Sequence, residues 1–108
     1  MEYSELFGKT SKQIPKDETS INAKLLIRGG FIRKEVAGVY QYLPLGLLVL
    51  NKISQIVREE MNAAGGQEVL LSSLQSKESW VKTGRWKSFD VLFKVKSQFK
   101  AEYALGPT

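Results

Sequence analysis

From Leu47 to Ala64 the apolar residues Leu50, Ile53, Val57, Met61 and Ala64 recur at spacings of three and four, and Asn51, Lys52, Gln55, Arg58 and Glu59 fall mostly between them. This is the period of a helix with one buried stripe. Gly65-Gly66 predicts its end, and at 1.5 Å per residue it would run roughly 27 Å. Leu48, Val49 and Ile56 widen the apolar face, which predicts cover from more than one direction. Upstream, Ile21, Leu25 and Arg28 share one face beside Leu26 and Ile27. The N-cap candidates at Asp17 to Ser20 and the stop at Gly29-Gly30 predict a helix over about 18–28.

A second helical turn is expected over Phe31 to Val36, with Gly38 as terminator, followed by extended Val39 to Leu43 and a turn at Leu-Pro-Leu-Gly46. Residues 1–16 show no clean period and end near Pro15, so they read as an extended arm, with 17–108 as one core. Gln67 to Leu74 predicts a strand, and its run Val69-Leu70-Leu71 suits burial on both faces. After a helical turn at Lys77 to Lys82, Val91 to Lys96 and Ala101 to Leu105 alternate as strands of a hairpin, with Phe93 and Val95 in phase with Tyr103 and Leu105. Three strands and three helices in this order predict an α+β fold with an antiparallel component. The last strand is expected to be an open edge of an incomplete sheet.

Composition narrows the chemistry. With 108 residues the chain makes at most one small domain, and its 43% hydrophobic and 25% charged content are those of globular chains. There is no cysteine and no histidine, which removes disulfides, thiolate nucleophiles and the commonest general base and zinc ligand. The most apolar stretch, Val39 to Leu50, falls short of the roughly 20 residues of a membrane-spanning helix, and Met-Glu-Tyr-Ser-Glu carries acids where a leader would carry bases. A cytoplasmic location and no membrane partner are the expectation. The net charge is +5, and its excess of base lies between Lys77 and Lys100. Such a segment is either a solvated surface or a face for a polyanion. Glu59-Glu60, adjacent on a helix, do not face one another and read as surface charges.

Six strings carry a resemblance: Leu26-Ile-Arg-Gly-Gly-Phe-Ile-Arg-Lys34, Gly38-Val-Tyr-Gln-Tyr-Leu-Pro-Leu-Gly46, Val57-Arg-Glu-Glu-Met-Asn62, Gly66-Gln-Glu-Val-Leu70, Thr83-Gly-Arg-Trp86 and Tyr103-Ala-Leu-Gly-Pro-Thr108. In this order and with these gaps the chain resembles the opening of the catalytic domain of bacterial-type prolyl-tRNA synthetases. The resemblance implies a class II synthetase, an antiparallel sheet flanked by helices that activates proline with ATP and Mg2+ and passes it to tRNA(Pro). It implies a motif 1 helix and strand at Leu47 to Leu74 that builds a homodimer through Leu50, Ile53, Val57, Met61, Val69 and Leu71; ordinary core is the other reading of those residues. Ser72-Ser73 stand where the family usually has a proline, which bears on the strand end.

Thr108 matches the threonine of the family's proline-binding loop. Arg85 and Trp86 fall near the mouth of the active site, or else make a packed indole with a solvated neighbour. No catalytic residue is expected within the chain, because the family's motifs 2 and 3, editing domain and anticodon-binding domain lie beyond the matched stretch. The expectation is therefore proline–tRNA ligase activity as part of a longer enzyme, with the fragment alone inactive. The alternative is a non-catalytic paralogue that dimerises or binds RNA.

Overall fold

The computed structural model describes residues 2–107, and the chain divides into two compact units with the boundary between Glu68 and Val69. The fold is mixed α+β and both sheets are antiparallel.

The first unit holds α1 (Ile21–Arg28), the strands β1 (Ile32–Val36) and β2 (Val39–Tyr42), and α2 (Pro44–Ala63). Ser20 caps α1, its hydroxyl accepting the Ala23 N–H at 3.4 Å. Both helices end by the same device. The Phe31 N–H donates to the Leu26 carbonyl and the Gly30 N–H to Ile27, and likewise Gly66 donates to Met61 and Gly65 to Asn62. Gly30 and Gly65 take the positive φ, 75° and 86°, that this closure requires. The arm forms a 3-10 turn at Tyr3–Glu5 and reaches the end of α1, where the Ser11 N–H donates to the Arg28 carbonyl at 3.0 Å.

Phe31 to Val36 is not helical. Ile32–Val36 pairs with Val39–Tyr42 as a hairpin, Ile32 opposite Tyr42 and Lys34 opposite Tyr40, and Gly38 turns the hairpin instead of ending a helix. Ile32 and Val36 are four apart, which imitates a helical stripe, but β-branched residues opposite Tyr40 and Tyr42 fit a ladder better. The hairpin is tied to the residues before α1. The Tyr40 hydroxyl donates to Glu18 Oε2 at 2.5 Å, and the Lys34 ammonium lies 2.9 Å from Asp17 Oδ2 and 3.4 Å from Glu18 Oε2. Glu18 is buried, and these partners satisfy its carboxylate. The hydrogen bond from Tyr40 is the main cause that holds the Glu18 carboxyl below its usual range, and that from Lys34 does the same for Asp17, against the opposing effect of desolvation.

Helix α2 starts at Pro44, three residues earlier than its apolar period indicates, because proline at the first helical position needs no N–H partner and already has the right φ. The backbone at Phe31 approaches it closely: the Leu43 N–H donates to the Phe31 carbonyl at 2.9 Å, and a Cβ on Gly46 would stand 2.1 Å from that oxygen. Past the helix end, Arg58 grips Glu68 with two parallel hydrogen bonds of 2.7 and 3.0 Å.

The second unit holds β3 (Leu74–Ser76), α3 (Lys77–Lys82), α4 (Arg85–Ser88), β4 (Phe93–Lys96) and β5 (Glu102–Leu105). The strand expected over Gln67 to Leu74 is only Leu74–Ser76. Val69, Leu70 and Leu71 are 70, 100 and 76% exposed, not buried on both faces, because no neighbouring strand among the described residues offers them a ladder. The sheet order is β3-β5-β4, so the last strand is central rather than an edge, with β3 added on its far side. Phe93 lies opposite Leu105 and Val95 opposite Tyr103, in the phase that their alternation indicates.

Two outcomes test this picture. Gly46→Ala destabilises the first unit by about 1–3 kcal/mol, the range for forced overpacking, in a urea melt followed by helical circular dichroism; a melt like that of the parent would show that the Phe31 carbonyl yields freely. A carboxyl whose pKa is lower folded than unfolded adds stability above its unfolded value and loses it as pH falls through the folded one. The unfolding midpoint therefore drops below about pH 4, and Glu18→Gln removes part of that acid limb. An acid limb unchanged in the variant would rule out Glu18 as a contributor.

Candidate functional site

Within the second unit the side chains with binding chemistry gather around two tryptophans. Trp86, on α4, is 9% exposed and forms a core with Leu92 and the fully buried Ala104. Ala104 is opposite Gln75 on one side and Lys94 on the other, so this row of the sheet faces the indole. The Lys94 and Lys77 ammoniums stand 4.9 and 5.3 Å from the centre of an indole ring of Trp86, within cation–π range. Lys77 also forms an ion pair with Glu102, and that hydrogen bond, with smaller help from Lys96 and Lys94, keeps the Glu102 carboxyl below its usual range.

Trp80, on α3, lies parallel to Phe89, ring centres 6.0 Å apart and 4° between planes, and its indole N–H donates to Gln75 Oε1 at 2.9 Å. The two rings form part of an open cleft of about 410 Å³ whose other walls are Arg85, Ser88 and Pro107. Here the structure separates two residues that the sequence sets side by side. Trp86 is packed inside, and Arg85 is exposed on the cleft. A guanidinium beside aromatic faces and a hydroxyl suits an anionic or planar ligand. Gly84, at φ 71°, precedes α4 as its N-cap, and adjacent residues on a helix point in different directions. Thr108 lies outside the described residues.

The residues expected at a subunit interface stand apart from this cleft in kind. Leu50, Ile53, Val57 and Met61 on α2 are 37, 54, 55 and 57% exposed, and Val69 and Leu71 are 70 and 76% exposed. Leu50 and Ile53 also line an apolar groove of about 340 Å³ with Leu26, Phe31, Tyr42 and Val49. Sequence reading missed Trp80, Ser88, Phe89 and Pro107, since residues drawn from a short helix, a turn and a strand end leave no period. The one available signal was the pair of tryptophans flanking Thr83-Gly84-Arg85.

No family model matches the chain. Over its whole length, however, it is related to tRNA ligases, and it spans about a fifth of their length. These relatives are proline–tRNA ligases. That of Kosmotoga olearia is 50% identical over 109 aligned positions, 100% of this chain and 19% of the relative. The Syntrophomonas wolfei protein gives the same figures, and that of Moorella thermoacetica is 47% identical over the same shares. The resemblance carried by the six strings thus holds from end to end.

Trp86→Ala is expected to cost about 3–5 kcal/mol, the range for emptying a buried aromatic site, and to unfold the second unit in a urea melt read by Trp80 fluorescence. Arg85→Ala should stay within about 0.5 kcal/mol of the parent, as exposed substitutions do. Equal costs at the two positions would contradict the division of roles.

Proposed function

We propose that this chain serves as part of the catalytic domain of a proline–tRNA ligase of the class II type. In this reading a carboxylate oxygen of proline attacks the α-phosphorus of ATP and pyrophosphate leaves. A terminal ribose hydroxyl of tRNA(Pro) then attacks the adenylate carbonyl and AMP leaves. Neither step needs a protein nucleophile. Catalysis of this kind rests on positioning and on stabilising phosphate charge. The observation that carries the reading is the identity of 50% across the whole chain with proteins named proline–tRNA ligase.

Several features give it physical support. The cleft beside Arg85 is also lined by Pro107, which directly precedes in sequence Thr108, the position that resembles the proline-binding threonine. The exposed apolar face of α2 in the first unit suits a motif 1 surface that a second copy covers, and Val69 and Leu71 of the second unit are exposed as well. Among the described residues no group of three acidic side chains converges, and no step is derived through the metal. Nor is any helix of the described residues long and apolar enough to cross a membrane. The reading places the enzyme in the cytoplasm.

The test is proline-dependent exchange of pyrophosphate into ATP. A longer protein that contains this sequence exchanges with proline, whereas the 108-residue chain alone stays at background. Exchange by the chain alone would overturn its inactivity. No exchange by the longer protein would shift the reading to a non-catalytic dimerising or RNA-binding module. Sedimentation of the same longer protein checks the interface: Ile53→Lys shifts it towards the monomer, and an unshifted profile removes α2 from the dimer contact.

A further inference from the structure

The tip of the β4–β5 hairpin carries an arrangement that neither the core nor the cleft uses. Phe99 is 91% exposed there, more than any other aromatic side chain among the described residues. It is held outward by a structured turn. The Lys100 N–H donates to the Ser97 carbonyl at 3.2 Å, the Ser97 N–H to Ala101 at 2.9 Å, and the Phe99 N–H to Ser97 Oγ at 3.3 Å. This is a three-residue hairpin loop whose last position takes positive φ, a place that glycine fills with least strain. Here it is Lys100, at φ 62°, the one non-glycine residue with positive φ among the described residues.

One exposed phenylalanine needs no explanation. An aromatic ring at a hairpin tip, flanked by lysines of which one occupies a strained position, does. Lys96 ends β4 and Lys100 follows the ring; neither forms a salt bridge among the described residues. The acid nearest in register is Glu102, opposite Lys96, and its carboxylate is engaged by Lys77. The tip therefore presents a π-face between two lysines that form no ion pair, the nearest carboxylate, Glu102, being paired with Lys77 and only in the field of Lys96. Stacking an unpaired base on the ring while the ammoniums meet the neighbouring phosphates is the use this combination suits, because every base has a π-face and each phosphate a charge. A paired helix hides its base faces and offers the ring nothing.

We infer that the Ser97–Lys100 tip is a contact site for single-stranded RNA, with Phe99 as the stacking platform and Lys96 and Lys100 as phosphate contacts. The choice of RNA among polyanions rests on the proposed tRNA ligase reading; the position of the site rests on the tip alone.

The experiment is fluorescence anisotropy of a short labelled single-stranded RNA, and of its fully paired duplex, with the 108-residue chain across a range of salt. Phe99→Ala lowers single-strand affinity about tenfold or more and leaves the salt dependence as it was. Lys96→Ala lowers the slope of log affinity against log salt by roughly 0.7, the share of one phosphate contact. Lys100→Gly also lowers that slope and, by relieving the backbone, raises the unfolding midpoint by a few degrees. A variant that folds better and binds worse separates contact from folding. The inference is overturned by any of these results: all three variants bind like the parent, the folded chain does not bind single-stranded RNA, the duplex binds as tightly, or Phe99→Ala changes only self-association. Pyrophosphate exchange contains no RNA, so failure of the ligase reading and failure of the tip appear in different assays.

Discussion

The first unit depends on the approach of the Phe31 carbonyl to the start of α2. That oxygen accepts the Leu43 N–H and occupies the space where a side chain on Gly46 would begin. Everything around it follows from the contact. Pro44 can open the helix because Leu43 is fixed, and Tyr42 ends β2 close enough to join Gly46, Phe31 and Leu26 around one apolar groove. Beyond Gly46 the helix has little cover, and the residues of its apolar stripe stay 37–57% exposed from Leu50 to Met61.

The second unit solves the same problem around an indole. Trp86 packs with Leu92 and Ala104 on one face of a three-stranded sheet, and the Lys77 and Lys94 ammoniums lie over its indole. The adjacent row, Leu74, Leu105 and Phe93, points to the other face and is 47, 39 and 67% exposed. Each unit thus has one apolar surface used and another bare.

What could be read from sequence was whatever a local period encodes. The stripe of α2, the Lys77–Lys82 turn and the alternation of Phe93 and Val95 with Tyr103 and Leu105 all appear at or near their expected places. Of the hairpin at Ile32–Tyr42 the extended Val39–Tyr42 was legible and the first strand was not, because Ile32 and Val36 satisfy a helical spacing and a strand spacing equally. Only the pairing with Tyr40 and Tyr42, tied by Lys34 and Tyr40 to Glu18, decides between them. Val69 to Leu71 has the composition of a buried strand, but composition does not supply a hydrogen-bonding neighbour. Resemblance singled out Arg85 but not the cleft that it lines, because the stacking of Trp80 on Phe89 depends on how two short helices fold back on the sheet.

The closed ends of α2 bear on how it meets a partner. Its 20 residues begin at a proline that needs no donor, end in a Gly65-Gly66 closure that satisfies the last carbonyls, and carry a forked Arg58–Glu68 bridge just beyond. The proline start and the Gly65-Gly66 closure favour the helix before any outside surface meets it. Whatever docks on the apolar stripe finds it already ordered, so the association loses side-chain freedom but little backbone freedom. Preorganisation of this kind shows as slower dissociation more than as a larger contact area.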